Sequence, residues 1–111
     1  MSEKRHRITL TIPKPTSAFE YTVFDRLIGE LVRFSGRVTI SEFAGDFFKG
    51  YWFAPNEGRN IPDNICLIIS DAPLTHEEDL DKYLSLLKKN LEESLEEEVV
   101  WIIYHEVNRA I

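Results

Sequence analysis

The chain has 111 residues, is 43% hydrophobic and 29% charged, and carries a formal net charge of −6 and one cysteine. These values suit a single globular domain with one core over residues 1–111, and a lone cysteine excludes an internal disulfide framework. An acidic chain with no basic face is a poor nucleic-acid binder, since phosphate contacts need clustered Lys and Arg, and the basic N-terminal stretch is too short to change this. No apolar run approaches the ~20 residues of a membrane helix, and the basic start at residues 1–7 leads into no apolar core of the signal-peptide kind. The expectation is therefore a cytoplasmic protein without nucleic-acid or membrane partners, with residues 1–6 as a flexible tail.

In chain order, Arg7-Ile8-Thr9-Leu10-Thr11-Ile12 alternates strictly between apolar and polar, the pattern of a half-buried strand, and Pro13 and Pro15 close it. Two capping boxes follow, Ser17-Ala18-Phe19-Glu20 and Thr22-Val23-Phe24-Asp25, and the second is favoured as the helix start. Phe24, Leu27, Ile28 and Leu31 then recur at helical spacing, and Ser35-Gly36 is the stop. Residues 37–41 alternate again. With the aromatic segment Phe47-Phe48-Lys49-Gly50-Tyr51-Trp52-Phe53 they read as a bent hairpin, or as one strand broken by a bulge near Gly45. Pro55-Asn56-Glu57-Gly58-Arg59-Asn60 is a polar turn. Asn64-Ile65-Cys66-Leu67-Ile68-Ile69-Ser70, walled by Pro62 and Pro73, is a strand covered on both faces.

Thr75-His76-Glu77-Glu78 is the clearest capping box, and Leu80, Tyr83, Leu84, Leu87, Leu91 and Leu95 follow as one helical stripe. Residues 76–98 hold nine acids against three lysines, a surplus of six that equals the whole net charge; this is a solvated helix face. The glutamates at 96–98 sit where the helix dipole disfavours anions, so either the helix ends nearer Asn90 or a cation offsets them. Residues 99–107 form a last strand, apolar on both faces.

Strand, helix, strand, strand, helix, strand is the order of the split βαβ arrangement. The predicted fold is α+β, a ferredoxin-like βαββαβ plait whose antiparallel sheet carries two helices on one face, with an extra hairpin or bulge around residues 43–53. The first strand and the 65–70 strand become central neighbours. The second sheet face keeps apolar residues on the 65–70 and final strands, which points to a homodimer or to the 47–53 segment folding over its own sheet. Phe34-Ser35-Gly36 followed by Thr39, Gly50-x-Trp52, Gly58, Asp63 and a Glu-rich lead into the final strand resembles small uncharacterised bacterial ferredoxin-like proteins. Those run Phe-Gly-Gly-x-Thr, Gly-x-Trp, Gly and Asp in order. Ser35 stands for their first glycine, and a Phe-rich insert precedes Gly50. The resemblance implies the fold and no activity.

Candidate chemistry is sparse. His105 in the final strand could serve as a general base, although a strand histidine is ordinarily a half-exposed structural residue. His76 lies in a helix first turn and His6 in the tail, so no metal-ligand spacing exists and neither metal nor cofactor is expected. Cys66, inside a strand, reads as an inert hydrophobe. The aromatic set Tyr51, Trp52, Phe53 and Trp101 is the best lead, with Tyr51, Trp52 and Trp101 as ligand-binding candidates and core or dimer packing as the plainer role. The sequence favours a non-catalytic homodimeric module with a protein or small-molecule partner. The alternative is a small enzyme with an aromatic pocket between sheet and hairpin and His105 as base.

Overall fold

The computed structural model describes residues 1–41, 49–95 and 100–111, with backbone alone at 49, 50, 52–54 and 61–63. The elements are β1 (Ser2–Pro13), α1 (Ala18–Ser35), β2 (Val38–Ile40), β3 (Lys49–Ala54), β4 (Arg59–Pro73), α2 (Glu77–Leu95) and β5 (Trp101–Ala110). The strand order β2-β4-β1-β5 is antiparallel throughout, and β3 pairs with the first half of β4. This is the ferredoxin-like α+β plait that the element order predicts, with β1 and β4 as central neighbours.

The core follows from strand alternation. His6, Ile8, Leu10 and Ile12 of β1 are buried, as are Cys66, Ile68, Ser70 and Ala72 of β4. They meet Phe24, Leu27 and Leu31 of α1 and Leu80, Leu84, Leu87 and Leu91 of α2. Because both helices present one apolar stripe to one sheet face, the other face keeps Arg5, Arg7, Thr9 and Thr11 of β1.

Several expectations are corrected. Residues 2–6 are strand rather than tail: Ser2 pairs with Ala110, and Arg5 pairs with both Val107 and Pro73. Their charges disguise an alternation that becomes useful only once a strand lies on each side. The first helix starts at the first capping box, not the second. The Ser17 hydroxyl accepts from the Glu20 N–H at 3.1 Å and donates to the Glu20 carboxylate at 2.9 Å, whereas Thr22 donates back to the Ala18 carbonyl from inside the helix. The expected box at Thr75 does not form. The Thr75 hydroxyl donates to the Pro73 carbonyl at 2.9 Å, and its N–H donates to His6 Nδ1 at 3.2 Å. A strand end and a buried histidine hold this residue in place of its own helix. The stop at Gly36 is as expected: φ is 84°, and its N–H donates to the Val32 carbonyl at 2.7 Å.

The extra hairpin lies between β3 and β4, with the turn at 55–58, because both β2 and β3 take β4 as partner. It continues past the register of β1, which ends opposite Ile65. The bulge considered near Gly45 falls outside the described residues, as do the glutamates at 96–98; α2 is helical as far as Leu95. Among the described residues no helix is long and apolar enough to cross a membrane.

Candidate functional site

The sheet face without helices is assembled row by row from the strand register. One row across β4, β1 and β5 holds Asp71, Arg7 and His105; the next towards the hairpin holds Ile69, Thr9 and Ile103; the one after it holds Leu67, Thr11 and Trp101. In the opposite direction Arg5 stands beside Val107, then Glu3 beside Arg109. At the β2 edge Thr39 pairs with Ile69, and Arg37 immediately precedes β2. One face is thus cationic at one end and apolar at the other.

The cationic end is concave. A cavity of about 730 Å³ is lined by Arg5, Arg7, Ser35, Gly36, Arg37, Thr39, Ile69, Asp71 and Arg109. That volume falls within the ~300–1,000 Å³ range of small-molecule sites. Four arginines stand here against the carboxylates Asp71 and Glu3, a local charge of 4 − 2 = +2 on a protein whose net charge is −6. Converging arginines favour anions, because the planar guanidinium fork matches two oxygens of a carboxylate or phosphate.

The four arginines are not equivalent. Arg7 holds Asp71 bidentately, Nε to Oδ1 at 2.8 Å and an Nη to Oδ2 at 2.9 Å. The bonds from Arg7 hold the Asp71 carboxyl below its ordinary range against opposing desolvation, with the charges of Arg7, Arg5 and His105 assisting. The same pair pushes Arg7 above its ordinary value. Arg5 is a structural clamp: one Nη donates to the Asp71 carbonyl at 2.6 Å and to the Ser35 carbonyl at 3.4 Å, while the other lies 3.5 Å from Glu3. Its Nε is buried without a partner. Ser35 is the last residue of α1, where carbonyls lack helical partners and a cation suits the dipole. Arg109 donates to Glu3 at 3.0 Å. The Arg37 side chain makes no hydrogen bond or ion pair among the described residues. Gly36 lets the chain turn sharply enough between α1 and β2 to bring Arg37 to the rim, and the buried Ser35 hydroxyl fixes that turn: it lies 2.8 Å from both the Leu31 and the Arg37 carbonyl, its one proton serving either, and it accepts from Ser70 at 2.6 Å.

The residues singled out from sequence are scattered over this frame. His105 is exposed and shares the row of Arg7 and Asp71, beside the concavity. Trp101 is 65% exposed and Ile103 55%, both on the open face. Trp101 lies four residues along the sheet from the Arg7 row, roughly 14 Å at strand spacing. Tyr51 is 69% exposed on the hairpin opposite Pro62, five residues along β4 from Leu67, whose row holds Trp101, so the register does not bring the two aromatics together. Trp52 faces Ile61 in the backbone register, and its side chain lies outside the described residues. Cys66 is fully buried and its thiol is pushed up by burial, although Ser41 donates to it at 3.8 Å. Among the described residues no three or more His, Cys, Asp or Glu side chains are placed to hold a metal.

Sequence inspection missed the arginines because they are dispersed at 5, 7, 37 and 109. One signal was present: Arg5 and Arg7 stand two apart in a β pattern and must share a face.

No protein-family model matches the chain, and no curated protein is significantly similar. Solved structures are similar in fold. A phage SAM lyase in complex with S-methyl-5'-thioadenosine has a TM-score of 0.56 at 17% identity, over 96% of this chain and 90% of the other. CPII, a nitrogen regulatory PII-like protein from Thiomonas intermedia K12 bound to ADP, AMP and bicarbonate, has a TM-score of 0.55 at 10% identity, over 100% of this chain and 98% of the other. At such identities the likeness establishes the fold.

Proposed function

We propose that this protein is a non-catalytic, homo-oligomeric module that binds a small anionic ligand, an adenosine phosphate, in the arginine-lined concavity of its open sheet face. The observation that carries the reading is the convergence of Arg5, Arg7, Arg37 and Arg109 on one cavity, an arrangement with no counterpart in the overall charge. Arg37 and the outer edge of Arg109 are available to oxyanions. The apolar rows of Ile69 with Ile103 and Leu67 with Trp101 continue from the same cavity and offer a surface on which a purine ring can stack. Both structural neighbours are bound to adenosine compounds, one of them to ADP and AMP, which supports an adenosine moiety, and the arginines of this chain add the preference for phosphate.

Oligomerisation is supported by the same face. Leu67, Ile69, Trp101, Ile103 and Val107 are too apolar for a surface meant only for water, and a second copy is the economical cover, with the purine held between the two faces. Among the described residues no serine or cysteine shares the row of His105, Arg7 and Asp71, which supports binding over catalysis.

Thermal shift with ADP, AMP and adenosine tests the reading, alongside light scattering for the oligomer. Saturation at a hundred times Kd stabilises by about 2.7 kcal/mol, a rise of roughly 10 °C for a domain this small. ADP is expected to act at lower concentration than adenosine, and Arg37→Ala to abolish that difference. No shift with any of the three refutes the ligand class, and a monodisperse monomer refutes the assembly.

A further inference from the structure

The concavity already contains an anion of its own. Asp71 fills the Arg7 fork with both carboxylate oxygens, while Arg37 beside it is left without a bond to any described side chain. An incoming ligand therefore meets an occupied fork. A monoanionic carboxylate or bicarbonate that took Arg7 would replace one carboxylate by another. It would forfeit a contact held at high effective concentration by the fold, and it would stand beside the displaced Asp71. A phosphoryl dianion differs in two respects. It has a third oxygen with which to engage Arg37 while it takes the fork of Arg7, and it carries the second charge needed to outcompete a carboxylate.

Resting on the ligand site proposed above, we infer that Asp71 is a specificity-determining residue: it acts as an internal competitor that screens the concavity against monoanions and admits phosphoryl dianions. The pair suits that role. Its side chains are 42% and 37% exposed, so it is an open, exchangeable ion pair rather than a buried structural one. Among the described residues the Asp71 carboxylate accepts from Arg7, and its backbone carbonyl accepts from Arg5, so displacing the carboxylate gives up one exposed pair while the Arg5 bond stays.

The test uses the full chain and equilibrium binding of pyrophosphate, at one fixed low ionic strength, with acetate and bicarbonate as competitors. Wild type is expected to bind pyrophosphate and to be insensitive to both monoanions. Asp71→Asn, which keeps size and removes charge, is expected to bind pyrophosphate about five- to tenfold more tightly and to become sensitive to acetate. Asp71→Glu restores the carboxylate and should restore the discrimination; Asp71→Ser replaces the asparagine variant if that one does not fold. Pyrophosphate binding to wild type with an Asp71→Asn affinity that is unchanged or weaker overturns the role of Asp71 and leaves the ligand reading standing. Absence of pyrophosphate and ADP binding in every variant overturns both.

Discussion

Arg5 and Arg37 line the same concavity and should nevertheless behave oppositely when replaced. Arg5→Met keeps the aliphatic stem and removes the guanidinium. It deletes the short bond to the Asp71 carbonyl at 2.6 Å and the long one to the Ser35 carbonyl at 3.4 Å. Hydrogen bonds to charged groups contribute about 1.5–3 kcal/mol, and the first dominates because the second is near the limit of a bond. Against this loss, the substitution removes a buried Nε that has no partner, so part of a desolvation cost of about 1–3 kcal/mol is recovered. The balance is a destabilisation of about 1–2 kcal/mol, which for this chain length lowers Tm by roughly 5–10 °C. Arg37→Ala breaks no bond among the described side chains and should stay within about 0.5 kcal/mol of wild type while weakening anion binding. Paired denaturant melts and pyrophosphate titrations of the two variants read both quantities. An Arg5→Met protein with unchanged stability would refute the clamp, and an Arg37→Ala protein that melts several degrees lower would show that Arg37 is structural instead.

Other outcomes follow from the same structure. Leu10→Ala, at a site fully enclosed between Ile68 and Ile102, should cost about 2–5 kcal/mol in urea melts. Gly36→Val should cost about 2 kcal/mol through backbone strain alone, because φ is 84° while a Cβ there would meet nothing within 4 Å; Gly36→Asn should recover much of the loss, and equal melts for the two would deny the strain. Ser17→Ala should lose about 1 kcal/mol of helix capping, whereas Thr75→Ala should lose less, since its hydroxyl serves the Pro73 carbonyl and not the helix. Asp71 has a depressed folded pKa, so its stabilisation is complete above the unfolded carboxylate value and disappears as pH falls through the lower folded one. Asp71→Asn should therefore flatten the acid limb of a stability–pH series, and an unaltered limb would show that other carboxylates dominate it. Tyr83 and Tyr104 are both pushed up to about 12, Tyr83 first by burial beside Glu30 and Tyr104 first by its hydrogen bond to Asp81, so phenolate absorbance should show two of the four tyrosines ionising in that range.

Local pattern determined most of the architecture. Alternation at Ile8, Leu10 and Ile12, the leucine stripe from 80 to 91, the glycine stop at 36 and the element order were enough to deduce a ferredoxin-like plait. Each of these signals is short in range: a strand face repeats every two residues and a helix face every three or four. Tertiary structure decided what those signals could not carry. Whether Ser17 or Thr22 caps α1 depended on which hydroxyl met an unpaired N–H, and both were plausible alone. Thr75 lost its helix because His6, 69 residues earlier, accepts its N–H. Residues 2–6 became strand because β5 pairs along all five and β4 with Arg5 and His6, a long-range condition invisible in a charged pentapeptide. The candidate site is the extreme case. Arg5 and Arg7 come from β1, Arg109 from β5 at the other end of the chain and Arg37 from the loop before β2, and only the tertiary fold places them in one concavity. A net charge of −6 concealed that local positive field because charge summed along the sequence says nothing of where the fold gathers it.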